Sequence, residues 1–151
     1  MATDPRRLFG TDLALREGAG GADLTLEGAA GGSGGIALAA GDDDIVQALT
    51  MRLKVRRGEL APLAWPDYGS RLHELIGEPD LARTRIKAQV FARDAVEADP
   101  RVKKVESVDV VSIAGERQVL RLAMLVSVIG EPTPLNLVFD LALEGSATEA
   151  P

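Results

Sequence analysis

Cysteine is absent from this sequence, and histidine and aromatic residues are scarce. Without cysteine the chain can form no disulfide, no thiolate metal site and no cysteine nucleophile, and this fits a reducing cytosol. The single histidine cannot build a zinc site without help. Aromatic residues make up 3% of the chain, so the core must consist of Leu, Val, Ile and Ala.

Long apolar runs and a secretion signal are also missing. No run of about 18 apolar residues occurs, so no membrane-spanning helix is predicted. The first residues lack the apolar stretch of a signal peptide, so we expect a cytoplasmic protein without direct membrane insertion. The net charge is −6, although residues 45–104 are basic. An acidic chain with few aromatic residues does not fit nucleic-acid binding.

Residues 1–41 are rich in glycine and are predicted to form a flexible N-terminal arm with short strands. The strands are expected at three apolar alternations, residues 13–15, 24–26 and 36–38. The run at residues 31–35, GGSGG, has nothing to bury and is predicted to be a flexible tether. The polar segment 144–151 is predicted to be a disordered tail.

The first helix is predicted from Ile45, Leu49 and Leu53, which recur at i, i+4 and i+8. The three aspartates at residues 42–44 suit its N-terminus, as caps and as charges at the positive end of the dipole. A metal site is the alternative interpretation, but three adjacent carboxylates point in different directions and lack the spacing of a calcium loop. Gly58 is expected to end the helix.

Residues 57–78 form an irregular connection that holds the only Trp, Tyr and His of the chain. We predict a packed connector whose core is Glu59, Trp65, Tyr68 and His73. A short helix is expected at residues 70–76, with Ser70 as its cap and Gly77 after its last residue.

The longest helix is predicted to begin at Pro79 and to end near Asp99-Pro100. Its apolar residues are expected to form one broad buried face. They are Leu81, Ala82, Ile86, Ala88, Val90, Ala92, Ala95 and Val96.

From residue 102 the period changes to two, which predicts three strands at residues 102–113, 118–129 and 135–143. A bulge is expected near residues 110–111. Helices followed by three consecutive strands indicate an α+β domain, at residues 42–143, with the helices packed on a small antiparallel meander. The third strand alternates strictly and would leave an uncharged apolar edge, which favours β-augmentation by another chain. The residues of this proposed docking edge are Leu135, Leu137, Val138, Phe139 and Leu141.

The order of these segments resembles the sheath-initiator or baseplate-wedge family of contractile phage tails and injection systems, some of whose members are called lysozyme-like. The resemblance covers residues 36–143: IVQALTMRL, RRGEL, WPDYGSRLHELIGEP, a long helix, ADPRV and a meander. The family has Glu-Pro-Arg after its long helix, and this chain has Asp99, Pro100 and Arg101 there. The carboxylate is therefore one methylene shorter, which could loosen or shift an ion pair made by the longer acid.

The resemblance implies a non-enzymatic baseplate component that templates the first sheath ring. The implied partners are the sheath protein and baseplate wedge proteins, with inner tube or hub proteins as further candidates, in several copies per particle with six as the expected number. Asp99, Pro100 and Arg101 are the implied wedge-contact motif. Without the resemblance, the same triplet is simply a helix exit with a solvated salt bridge. No metal or other cofactor is expected.

Two enzymatic hypotheses remain as alternatives. A peptidoglycan-degrading glycosidase needs two carboxylates across a cleft, one of them with a raised pKa, and Glu59 and Asp67 near Trp65 are the best candidates. Ser70 and His73 could be a nucleophile and its base, but nothing marks an oxyanion hole.

Overall fold

The computed structural model describes residues 10–18, 21–24, 26–27, 35–36, 38–116 and 118–144. The chain divides into two compact units, residues 1–48 and 49–151, so the first helix contributes to both. Gly35 lies in a strand, whereas the rest of the predicted glycine tether and residues 145–151 of the predicted tail fall outside the described residues. No helix of the described part is long and apolar enough to cross a membrane.

Within its described residues the first unit contains three antiparallel pairs of short strands. They only overlap the predicted ones: Ala14, at the centre of the first alternation, lies between two strands, and residues 25 and 37, at the centres of the other two, fall outside the described residues. The pairs are β1 (Thr11–Leu13) with β6 (Leu38–Ala40), β2 (Leu15–Gly18) with β3 (Gly21–Leu24), and β4 (Leu26–Glu27) with β5 (Gly35–Ile36). The Gln47 amide binds the chain between β1 and β2, because it accepts from Leu15 N at 2.9 Å and donates to Leu13 O at 2.9 Å.

Helix α1 (Asp42–Lys54) confirms the first predicted helix. Ile45, Leu49 and Leu53 are buried, and the three aspartates lie in its first turn. Within the part of the chain that is described, no group of acidic or histidine residues could hold a metal ion. The predicted end at Gly58 is wrong because the chain leaves the helix after Lys54.

The segment after α1 forms a parallel bridge in place of further helix. Val55 O accepts from Ser70 N at 2.9 Å, and Arg57 N donates to Ser70 O at 3.0 Å. These backbone groups can no longer continue the helix, so the connector begins here. The connector contains two short 3₁₀ turns, Ala61–Leu63 and Leu72–Leu75, and the second stands where the short helix is predicted.

Helix α2 (Ala82–Glu97) begins three residues later than Pro79. The residues before it instead bind side chains of its first turn, although no side chain caps the N-terminus. The Thr84 hydroxyl donates to Pro79 O at 2.7 Å, and Arg85 Nε donates to Asp80 Oδ1 at 2.7 Å. The helix ends at Glu97, as predicted from the following Asp-Pro pair.

The broad buried face predicted for α2 is only half correct. The buried residues are small or polar and pack close to the sheet: Thr84, Ala88, Ala92, Ala95 and Val96. Leu81, Ile86 and Val90 are exposed. The reason is that α2 packs against strand β7 through its alanine side, which leaves the larger apolar side chains on the opposite side.

The second unit has a three-stranded antiparallel sheet in the order β7-β8-β9. Its strands are β7 (Val102–Ser112), β8 (Val119–Val128) and β9 (Leu135–Ala142). The predicted alternation of β8 is confirmed, since Leu120, Leu122, Met124, Val126 and Val128 are all buried. The bulges occur between Val102 and Lys104 and between Val105 and Ser107, so the one predicted at residues 110–111 is wrong. The α+β architecture is as predicted.

Candidate functional site

The junction between α2 and β7 is built on the buried carboxylate of Asp99, which is 3% exposed. Its Oδ1 accepts from Arg101 N at 2.9 Å and from Arg101 Nε at 3.0 Å, and its Oδ2 accepts from Arg101 Nη2 at 2.9 Å. The fork of Arg101 thus closes on a carboxylate two residues earlier, and Pro100 forms the exposed tip of the turn. A shorter acid fits this arrangement, because the partner is so near in sequence.

Arg52, in the last turn of α1, is the second cation at this junction. Its Nη2 lies 3.8 Å from Asp99 Oδ2, and its guanidinium carbon lies 4.5 Å from the centroid of the Tyr68 ring. The side chain is 14% exposed, and its buried Nε has no hydrogen-bond partner within the described residues. Arg52 therefore joins α1, the connector and the α2–β7 junction.

The sequence pattern does not predict this role of Arg52, because an arginine near the end of a helix is usually solvated. One signal was present: Arg52 stands three residues after Leu49 and so lies beside the buried face. What the sequence could not show is that a tyrosine ring and a carboxylate, distant in sequence, both meet that position.

Two opposing effects set the pKa of Asp99. Burial raises the pKa of its carboxyl, but the hydrogen bonds from Arg101 and the charges of Arg101 and Arg52 outweigh that effect. The pKa therefore lies below the ordinary value of an aspartate, and the group is ionised at neutral pH. This charge holds the two arginines in place.

The aromatic part of the connector is open to solvent on one side. The rings of Trp65 and Tyr68 lie 5.9 Å apart at 32°, beside a cavity of about 440 Å³ that Arg52, Asp67 and Ala98 also line. Tyr68 is partly buried under Arg52, but Trp65 is 61% exposed. The prediction that Trp65 belongs to a packed core is therefore wrong.

The remaining connector residues bind mainly to the backbone. Ser70 Oγ donates to Leu53 O at 2.6 Å, and His73 Nδ1 lies 3.1 Å from Ser70 O. Ser70 thus fixes the connector to α1, and its hydroxyl does not donate to His73 as a nucleophile would. Glu59 is exposed and its Oε2 accepts from Arg56 N at 3.1 Å, which makes it a turn anchor at the surface and not a core residue.

The two outer strands of the sheet differ in what lies along their edges. On β7, Val108 O accepts from Gln89 Nε2 at 3.0 Å, and Val105 N donates to Glu97 Oε1 at 3.2 Å. The Ser112 hydroxyl donates to Asp80 and accepts from Arg85. Side chains of α2 therefore bind two backbone groups of β7, and Asp80 and Arg85 bind the Ser112 side chain, so the edge of β7 is partly covered.

Strand β9 has no such cover among the described residues. Leu143 N donates to Gln118 O at 2.7 Å, and the register continues through Leu141 with Leu120 and Phe139 with Leu122. In an antiparallel pair the direction of the backbone groups alternates, so these odd-numbered residues bond to β8. The N–H and C=O groups of the even-numbered residues point away from β8, at an edge that no described strand occupies. These residues are Asn136, Val138, Asp140 and Ala142.

The five residues predicted for the docking edge all lie on β9, but they do not have one role. Leu137 and Leu141 are buried, and Leu135 and Phe139 are half-buried on the same face. Val138 is 57% exposed and is the one member of the set whose backbone groups face the open edge.

Within the residues that the structure describes, this is an α+β domain whose sheet has an open edge at β9 and a partly covered edge at β7, with a buried junction of Asp99 and Arg101 before β7. No protein-family model matches this chain, and no curated protein matches it in sequence. Among solved structures it is similar to the crystal structure of a "putative tail lysozyme" from Geobacter sulfurreducens. The TM-score is 0.63 and the identity 23%, over 75% of this chain and 100% of that one. At this identity the likeness shows a shared fold.

Proposed function

We propose that this chain is a non-enzymatic structural component of the baseplate of a contractile, phage-tail-like particle. In this function it docks on wedge subunits and templates the first sheath ring by accepting a strand of the sheath protein at β9. The shared fold with a protein named for a tail supports a tail-related role. The observation that carries the proposal is that the edge of β9 is open among the described residues, whereas α2 partly covers β7 at the opposite edge of the sheet.

Strand addition needs unpaired backbone groups in a row on an accessible edge. The even-numbered residues of β9 provide such a row, and their side chains are exposed. Most monomeric sheets protect an edge of this kind with charges, proline or a covering segment. Asp140 is the one charged residue on β9, so little else discourages pairing.

The wedge contact is proposed at the α2–β7 junction. Asp99 is buried and bound by Arg101, so it cannot itself touch a neighbouring subunit. Its role in the motif is to fix the turn that exposes Pro100. The exposed Trp65 next to the open cavity supplies a large side chain of the type that dominates many interfaces.

The Val138→Pro variant is expected to block sheath polymerisation on particles whose baseplates are complete. Proline removes the Val138 N–H at the open edge, and it leaves the hydrogen bonds from β9 to β8 in place. The measurement is electron microscopy of assembled particles, with the baseplate content of this chain quantified in parallel.

Val110→Pro is the matched control, because the register places Val110 N on the outer side of β7. This variant should assemble normal sheath. Sheath of normal length on Val138→Pro particles would contradict docking at β9.

A glycan hydrolase is the second candidate function, since Asp67 lines the cavity beside Trp65 and Tyr68, and the similar structure carries a lysozyme name. Against it, Glu59 is exposed and bound to a backbone N–H, and it lacks the apolar pocket that a glycosidase acid needs.

We expect the purified chain to leave the turbidity of a cell-wall suspension unchanged. Clearing by the wild type that is lost in both Glu59→Gln and Asp67→Asn would establish the hydrolase in place of the structural role.

A further inference from the structure

The side chains along the open edge of β9 form a defined pattern on the outer face of the sheet. Asn136, Val138 and Asp140 direct their side chains to this face, and the same residues direct their backbone groups to the edge. An added antiparallel strand would therefore place one of its residues directly opposite each of them. The order along β9 is polar, apolar, acidic.

Asp140 can bind a second cation. Arg121 on the neighbouring strand β8 donates to Asp140 Oδ1 and Oδ2, both at 2.8 Å. The Asp140 side chain is still 43% exposed, and each carboxylate oxygen can accept a further hydrogen bond. These hydrogen bonds lower the pKa of Asp140, so the group is ionised at neutral pH. A Lys or Arg on an added strand would lie on the side away from Arg121.

Val138 marks an apolar position on the same face. It pairs with Ala123 of β8 and lies beside Leu125, at a shallow depression of about 190 Å³. Both Val138 and Leu125 are exposed. A β-branched or other apolar residue opposite Val138 would cover this area, since cross-strand apolar pairs stabilise a sheet.

On the core side of the sheet, an added strand should carry apolar residues between the positions opposite Asn136, Val138 and Asp140. Phe139 lies on the core side of β9 but is only half-buried, whereas Leu137 beside it is fully buried. An added strand would direct its alternate residues to this side. An apolar side chain next to Phe139 would complete its burial.

We propose that the β9 edge selects an antiparallel strand of another protein with a defined residue pattern. From its N-terminus this strand has a Lys or Arg opposite Asp140, an apolar residue beside Phe139, a β-branched residue opposite Val138, an apolar residue beside Leu137 and a polar residue opposite Asn136. The inference rests on the proposed docking at β9 and adds the chemistry of the partner. The antiparallel direction is chosen because antiparallel pairs are slightly more stable per residue than parallel ones. A second copy of β9 cannot supply the cation, because residues 135–142 contain no Lys or Arg.

The test uses two synthetic peptides that match the eight residues of β9 in length and differ only at the position opposite Asp140, which is Lys or Glu. Binding to the full chain is measured by fluorescence anisotropy of labelled peptide. The Lys peptide should bind about fivefold more tightly, as cross-strand charge pairs allow. The double variant Arg121→Asp/Asp140→Arg keeps the ion pair but exchanges its two charges. In this variant the Glu peptide should bind more tightly than the Lys peptide.

Each other outcome contradicts a different statement. Equal binding of both peptides, lost in Val138→Pro, would overturn the charge selection and leave docking at β9 intact. Binding of neither peptide would overturn strand docking itself and this inference with it. A dimer of the free chain that disappears in Val138→Pro would show that a second copy occupies the edge and would also overturn the inference.

Discussion

The Gly69→Ala variant is expected to lose about 3 kcal/mol or more of its free energy of unfolding. Gly69 has φ +106°, and a Cβ at this position would lie 2.5 Å from Val55 O and 2.9 Å from two further backbone atoms of residues 56 and 57. These atoms belong to the bridge between the end of α1 and Ser70, so they cannot move without breaking it. The measurement is urea unfolding of the full chain, followed by far-ultraviolet circular dichroism.

Gly58→Ala is the matched control, because Gly58 has a similar φ of +90° but nothing lies within 4 Å of the position that its new methyl carbon would occupy. It should cost only the strain of a left-handed residue, about 1 to 2 kcal/mol. If both variants lose the same free energy of unfolding, the short distance between the new Cβ of residue 69 and Val55 O does not destabilise the protein.

The Asp99→Ala variant is expected to lose about 3 kcal/mol of its free energy of unfolding at pH 7, as when one partner of a buried ion pair is removed. Two arginines would then face a buried site without an anion, and Arg52 has little access to water. The exposed pair of Arg121 and Asp140 provides the control, and Asp140→Ala should cost less than about 1 kcal/mol.

The effect of Asp99 should depend on pH in a defined direction. Its folded-state pKa is lowered, so its contribution is present above the ordinary aspartate pKa of about 4 and is lost as the pH falls below that value. The difference between wild type and Asp99→Asn, measured by urea unfolding, should therefore shrink between pH 7 and pH 3. A difference that stays constant over this range would contradict the charged role of Asp99.

Alternation in the sequence predicted most of the sheet, because a strand with one buried face has an apolar residue at every second position. Leu120, Leu122 and Met124 are clear examples. In α2 the pattern was ambiguous: its apolar residues cover a wide arc, and alanines were preferred on the buried side because they let the helix approach β7. Periodicity shows which residues could be buried, but the position of the neighbouring element decides between them.

The candidate site was predictable in part for a related reason. The junction of Asp99 with Arg101 is local, and its acid-proline-arginine order can be read from the chain. The contact of Arg52 with Tyr68 and the coverage of the β7 edge by Gln89 and Glu97 join residues far apart in sequence. Such contacts require the packed structure, and without them the two edges of the sheet could not be told apart.

The alternation in β9 separates two sets of constraints along one strand. Leu137 and Leu141 face the core and bond to β8, so changes there alter folding. Asn136, Val138 and Asp140 face solvent and the free edge, so their identities can vary with little effect on the core. During evolution the three edge residues can therefore change together with the partner strand that they contact. Selection for a stable domain acts instead on Leu137 and Leu141.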